Sequence, residues 1–108
     1  MLYTEFNVGE KVYKLRLNTR ATVQLEEKLG CNPLKVFFDA EKELPKVKTL
    51  VTIFHAALQA LQHNITLDDA YTIFDEWLDE GHVVTEFVPV VLEIYKESGL
   101  IARNNEKN

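Results

Sequence analysis

A mainly α domain that opens with a β-hairpin is what this sequence predicts, and three observations predict it. Near the start, Tyr13, Leu15 and Leu17 alternate with Lys14 and Arg16, shortly after a glycine that can turn the chain. From residue 18 the apolar residues recur every three or four positions, the period of a helix with one buried face. Capping residues and breakers then divide the remainder into about five segments. By strict count of elements the class is α+β: a hairpin followed by a bundle of about five helices.

The hairpin spans "LYTEFNVGEKVYKLRL", with Tyr3 and Phe6 on one strand and Val12, Tyr13, Leu15 and Leu17 on the other. Gly9 supplies the positive φ that a tight turn requires. A two-stranded ribbon is marginal alone, so it must lean on helices or on a neighbouring chain. The first helix, in "NTRATVQLEEKLG", has Asn18 or Thr19 as N-cap, an apolar line through Ala21, Leu25 and Leu29, and Gly30 as terminator. "CNPLKVFFDA" restarts at once, with Asn32 as cap and Pro33 at the first helical position. It is short and heavily apolar, through Leu34, Phe37 and Phe38, and "EKELP" is a polar break.

"KVKTLVTIFHAALQALQH" is the clearest helix: Val47, Leu50, Val51, Phe54, Ala57, Leu58 and Leu61 keep the helical rhythm, and Ile53, Ala56 and Ala60 widen the stripe. In "ITLDDAYTIFDEWLDEG", Thr66 and Asp69 form a capping box, with Asp68 and Asp69 at the positive end of the helix dipole. Leu67, Ala70, Tyr71, Phe74, Trp77 and Leu78 are its expected inner face. Thr72, Asp75, Glu76, Asp79 and Glu80 face outward, and Gly81 ends it. The last helix starts at Thr85, tolerates Pro89 near its first turn and stops at Gly99. Phe87, Val88, Val91, Leu92, Ile94 and Tyr95 make it apolar over most of its circumference. Residues 1–102 read as one helical domain with the hairpin at its N-terminus, and residues 103–108 as a flexible polar tail.

Two helices thus carry more apolar surface than a monomer of 108 residues is expected to hide. Two explanations stand open: partner chains cover the surplus, or the last helix lies at the centre of the bundle. Under the first, Leu50, Ile53, Phe54, Leu58, Leu61, Phe87, Val88, Val91, Ile94 and Tyr95 are the candidate partner-binding or oligomer surface. Asp75, Glu76, Asp79 and Glu80 are the candidate acidic face.

Composition excludes several classes. With 46% apolar and 27% charged residues the chain is an ordinary soluble globule of one domain. The lone Cys31 excludes a disulfide framework and fits a reducing cytosol. The first residues have neither a basic region nor an apolar one, so no signal peptide is expected, and no apolar run approaches bilayer length. The net charge is −5, and no lysine or arginine lies between Lys48 and Lys96. That interval holds Asp68, Asp69, Asp75, Glu76, Asp79, Glu80, Glu86 and Glu93, which would repel phosphates and argue against nucleic acid there.

Chemistry finds little purchase. His55 lies on the polar side of its helix with Lys48, Thr52, Gln59 and Gln62 and reads as solvated. His63 is eight residues on, ~12 Å along the axis, too far to share one ion. His82 and Cys31 have no second ligand in sequence, so no metal or other cofactor is expected. The i, i+4 pairs Asp75/Asp79 and Glu76/Glu80 have no apolar surroundings to raise a pKa. No base or orienting group is nominated for Cys31, and neither a phosphate-cradling glycine loop nor an EF-hand is present. The expectation is a non-enzyme.

Several strings in order, "YKLRLNTRATVQLEEKLGCNPLKVF", the long apolar helix, "ITLDDAYTIFDEWLDEG" and the closing "EIYKESGL", resemble the tail assembly chaperones of long-tailed bacteriophages. The resemblance covers roughly residues 3–101 and is carried by order and spacing, each string being weak alone. It implies an assembly factor of the host bacterial cytoplasm, absent from the finished virion. Such a factor self-associates and coats the tape measure protein, keeping it soluble until tail tube subunits polymerise around it. Neither a membrane nor a nucleic acid is an expected partner, and the family has no catalytic residues to carry over. Its members are commonly made in a short form and a longer frameshifted form. The end "EKN" fits this, since Glu106-Lys107-Asn108 encoded as GAA AAA AAC would contain a slippery heptamer; a solvated tail is the alternative. The rival functional reading is a non-enzymatic helical adaptor or regulatory protein of phage or bacterial origin. Tyr71, Phe74 and Trp77 suggest a client groove, but aromatics at helical spacing are more often core.

Overall fold

Alternation turns into a hairpin where Gly9 permits it. The structure, a computed structural model, describes residues 2–39 and 43–102. Strands β1 (Thr4–Val8) and β2 (Lys11–Leu15) pair antiparallel, Val8 opposite Lys11 and Thr4 opposite Leu15. Gly9 has φ of 61°, and Glu10 does not share the positive φ, the pattern of a type II′ turn whose twist matches the strands. Phe6, Val8 and Leu15 point to the core, while Glu5, Asn7, Val12 and Lys14 stay exposed.

Five helices follow among the described residues: α1 (Thr19–Leu29), α2 (Lys35–Asp39), α3 (Val47–Gln59), α4 (Leu67–Asp79) and α5 (Phe87–Glu97), with a 3-10 turn at Val84–Glu86. Their ends are set by local chemistry. The Asn18 side chain accepts from the Ala21 amide at 2.8 Å, and Gly30, at φ of 73°, ends α1 in the left-handed region. Thr66 and Asp69 exchange side-chain and backbone bonds at 2.9 and 3.0 Å, the full capping box. At Gly99 the Leu100 amide reaches the Tyr95 carbonyl and the Gly99 amide that of Lys96, a Schellman closure. The helix predicted over residues 46–63 is shorter, because the chain leaves it in turns and reverses at Asn64, whose φ is 60°. The predicted tail at residues 103–108 and part of the "EKELP" break lie outside the described residues, as does the side chain of Phe38.

The core corrects the surplus-surface expectation. α3 runs through the centre, packed against α1, α4, α5 and β2. Leu50, Ile53, Phe54 and Leu58 of α3 and Phe87, Val91, Ile94 and Tyr95 of α5, expected as partner-binding surface, are at most 1% exposed in a single copy. Leu61 and Val88 are half-buried. The hairpin makes the difference, since its inner face supplies Phe6, Val8 and Leu15, and Leu17 follows just after. Phe6 sits 5.1 Å from Phe54, 5.3 Å from Trp77 and 5.7 Å from Phe87 by ring centroid, so one strand residue closes an aromatic cluster shared by three helices. The radius of gyration, 13.4 Å, equals the about 13 Å typical of a folded chain of this length.

Two further expectations are corrected. His55 is buried, not solvated: the chain reversing after α3 lays the Ile65 carbonyl 3.0 Å from its Nε2. On α4, Tyr71 and Leu67 are exposed, and Ile73 takes the inward place expected of them. The helix is rotated so that Phe74 and Trp77 meet Phe87, which carries Tyr71 toward solvent.

Candidate partner-binding surface

With the two apolar helices enclosed, a binding surface must be built from what remains outside. Among the described residues, the large apolar ones left exposed are Leu2, Val12, Val23, Leu44, Val47, Leu67, Tyr71 and Val83. Leu67 and Tyr71 stand one turn apart on α4, hence on one stripe of its surface. Asp75, Glu76, Asp79 and Glu80 are exposed on the same helix. Glu80 is more than a solvated charge. Its carboxylate accepts the Gly9 amide, tying the end of α4 to the hairpin turn. Nothing in the sequence signals this pairing of residues 71 positions apart.

Beside that contact lies an open groove of about 660 Å³. Glu5, Phe6 and Asn7 of β1 form one wall, Trp77 and Glu80 of α4 the next, and His82, Glu86, Pro89 and Val90 the far side. Phe6 and Trp77, both nearly enclosed, make its floor. The His82 ring stacks on Trp77 at 4.4 Å with 8° between planes. Its Nδ1 lies 3.0 Å from Glu86 Oε1, which also accepts the Val83 amide at 3.0 Å. Glu86 thereby caps the 3-10 turn, and its carboxyl is held below the usual range, first by the Val83 amide and then by His82. Three carboxylates, Glu5, Glu80 and Glu86, border the groove, and its lining contains no lysine or arginine.

The strand edges differ. Gln62 covers the edge of β2 at Lys14, its side chain accepting from the Lys14 amide at 2.8 Å and donating to the Lys14 carbonyl at 2.9 Å. Past the strand, the Arg16 amide donates to Ala57 at 3.1 Å. Along β1, among the described residues, no group bonds the outward amides and carbonyls of Glu5 and Asn7.

Cys31 sits half-buried in a smaller cleft of about 240 Å³ that Lys35, Leu44 and Lys46 also line. Deeper in, the Tyr95 hydroxyl donates to the Pro33 carbonyl at 2.9 Å. Burial, then the Cys31 thiol, pushes that phenol well above its usual range. Among the described residues no group of three or more His, Cys, Asp or Glu could hold a metal ion. Nor, among them, is any helix long and apolar enough to cross a membrane.

Residues 4–108 match a family described as a family of unknown function, DUF6096. No curated protein and no solved structure matches the chain.

Proposed function

We propose that this chain, which belongs to the DUF6096 family, is a non-enzymatic assembly factor of the tail-chaperone kind, holding a tape measure protein soluble while tail tube subunits assemble. The observation that carries the reading is the ordered resemblance of residues 3–101, whose strings fall at element junctions. "KLG" closes α1, "TLDD" is the capping box of α4, and "ESG" is the closure of α5. The burial of α3 and α5 narrows the mechanism. Client contact and self-association must use exposed apolar residues such as Leu67 and Tyr71 on α4, flanked by acids that favour solubility.

The test is co-expression with a tape measure protein encoded in the same genome, scored for a soluble complex. A complex that co-purifies, and that weakens when Tyr71 is replaced by serine, supports the reading. A client that stays insoluble, with this chain alone in the soluble fraction, overturns it. A second reading, a helical adaptor or regulator that acts as a monomer, is favoured by one observation: a single copy already encloses its apolar helices. Light scattering separates the two, since a chaperone of this kind should form higher oligomers and the adaptor should keep the 12.5 kDa mass of one chain.

A further inference from the structure

The outer edge of β2 is bonded at Lys14, by Gln62, whereas the outer edge of β1 is bonded only at its turn and borders the groove. Glu5 faces Lys14 across the ladder. Because both the amide and the carbonyl of Lys14 bond to Gln62, this is a pair that exchanges no ladder bonds. The amide and carbonyl of Glu5 therefore point away from β2, and so do those of Asn7, two residues on. Among the described residues neither pair of groups has a hydrogen-bond partner. The next outward amide, Gly9, is the one that Glu80 accepts. An edge of this kind is a template for another strand.

We propose that the edge of β1, with the groove beside it, docks an extended lysine- or arginine-bearing segment of another protein, which adds to the hairpin as a third strand. The inference stands independently of the tail-chaperone reading. Backbone pairing would supply up to four hydrogen bonds, at Glu5 and Asn7, and alternate side chains would supply selectivity. Side chains on the face of Glu5 would meet its carboxylate as a cross-strand pair. Those on the opposite face would look toward Trp77, Pro89 and Val90. Glu80 and Glu86 add negative charge, which no lysine or arginine in the lining offsets, His82 being Glu86's one partner there with a basic ring, so basic segments are selected over acidic ones. A second copy suits the seam poorly, because it brings a chain of net charge −5 and the same carboxylates to the same edge.

The probe is an acetylated, amidated peptide of alternating lysine and valine, seven residues long, added to the full chain. At saturation, hydrogen exchange at the Glu5 and Asn7 amides should slow by about tenfold or more. Binding should weaken as salt is raised and be lost when the lysines are replaced by glutamates. Asn7→Pro deletes an outward amide that the hairpin does not use, and should weaken binding about threefold to tenfold. A peptide N-methylated at alternate residues, tested on the unaltered chain, should lose binding similarly, so the result does not depend on that variant folding. Binding without protection at Glu5 and Asn7, or undiminished by N-methylation, overturns the proposal. Protection in peptide-free protein that rises with protein concentration also overturns it, assigning the edge to a second copy.

Discussion

Tyr95 shows what one buried polar atom does here. Its ring is fully enclosed, packs edge-on against Phe37 at 5.4 Å, and its hydroxyl finds the Pro33 carbonyl, linking α5 to the turn before α2. Tyr95→Phe keeps the ring and removes the bond. Because the Val36 amide still donates to that carbonyl, the expected cost is only about 1 kcal/mol by urea unfolding. Asp69 and Glu86 work at the surface. Each accepts a backbone amide, from Thr66 and Val83, and each carboxyl is held below its ordinary value, 3.8 and 4.5. A carboxyl lowered in the folded state contributes stability that is present above its unfolded value and is lost as pH falls through the folded one. The urea midpoint should therefore hold near neutrality and decline below about pH 4.5. In Asp69→Asn and Glu86→Gln the decline should be shallower than in the parent.

At the scale of the element, α4 stands out because its start is closed twice over, by the Thr66 hydroxyl and by the Asp69 carboxylate. Thr66→Ala opens one half of that box and should destabilise the chain by about 1 kcal/mol in thermal or urea melts. Thr66→Ser should recover most of it, since the hydroxyl and not the methyl accepts the Asp69 amide. The start and stop of α4 were readable from residues four or fewer positions apart. Its rotation was not. The stripe of Leu67, Ala70, Tyr71, Phe74, Trp77 and Leu78 is a fair inward face for an isolated helix, and Ile73 is equally apolar. The tie was broken by neighbours, since Phe87 and Phe6 contact Trp77 from two directions and draw that side inward.

For the molecule as a whole, the enclosed aromatic cluster and the exposed α4 stripe make opposite predictions. Phe54 touches the rings of Phe6, Phe74 and Phe87, so Phe54→Ala leaves a cavity and should cost about 3–5 kcal/mol. That is a large part of the total stability of a domain this size, roughly 5–15 kcal/mol, so a large fall in the urea midpoint is expected. Leu67→Ser and Tyr71→Ser, on the exposed stripe, should leave stability within about 0.5 kcal/mol of the parent. If either lowers a complex's yield while circular dichroism and melting stay unchanged, the loss belongs to the partner surface. The same comparison applied to Leu58→Ala or Ile94→Ala should move stability first, because those residues are core.

The hairpin, the helix count, both ends of α1 and α4 and the close of α5 could be read from the chain alone; α2 and α5 start about two residues later than expected, at Lys35 and Phe87, and α3 ends sooner, at Gln59. Gly9, Asn18, Gly30, Thr66, Asp69 and Gly99 act on backbone groups within a few residues of themselves, so the information is local. Which apolar stripe lies inside, why His55 is buried, and how Glu80 comes to hold the Gly9 amide could not be read that way. Each depends on which distant segment arrives to cover a face, and the hairpin's arrival over α3 and α5 turned a supposed outer surface into the core. Hydrophobic period says that a face must be covered; the packing of segments far apart in sequence settles what covers it.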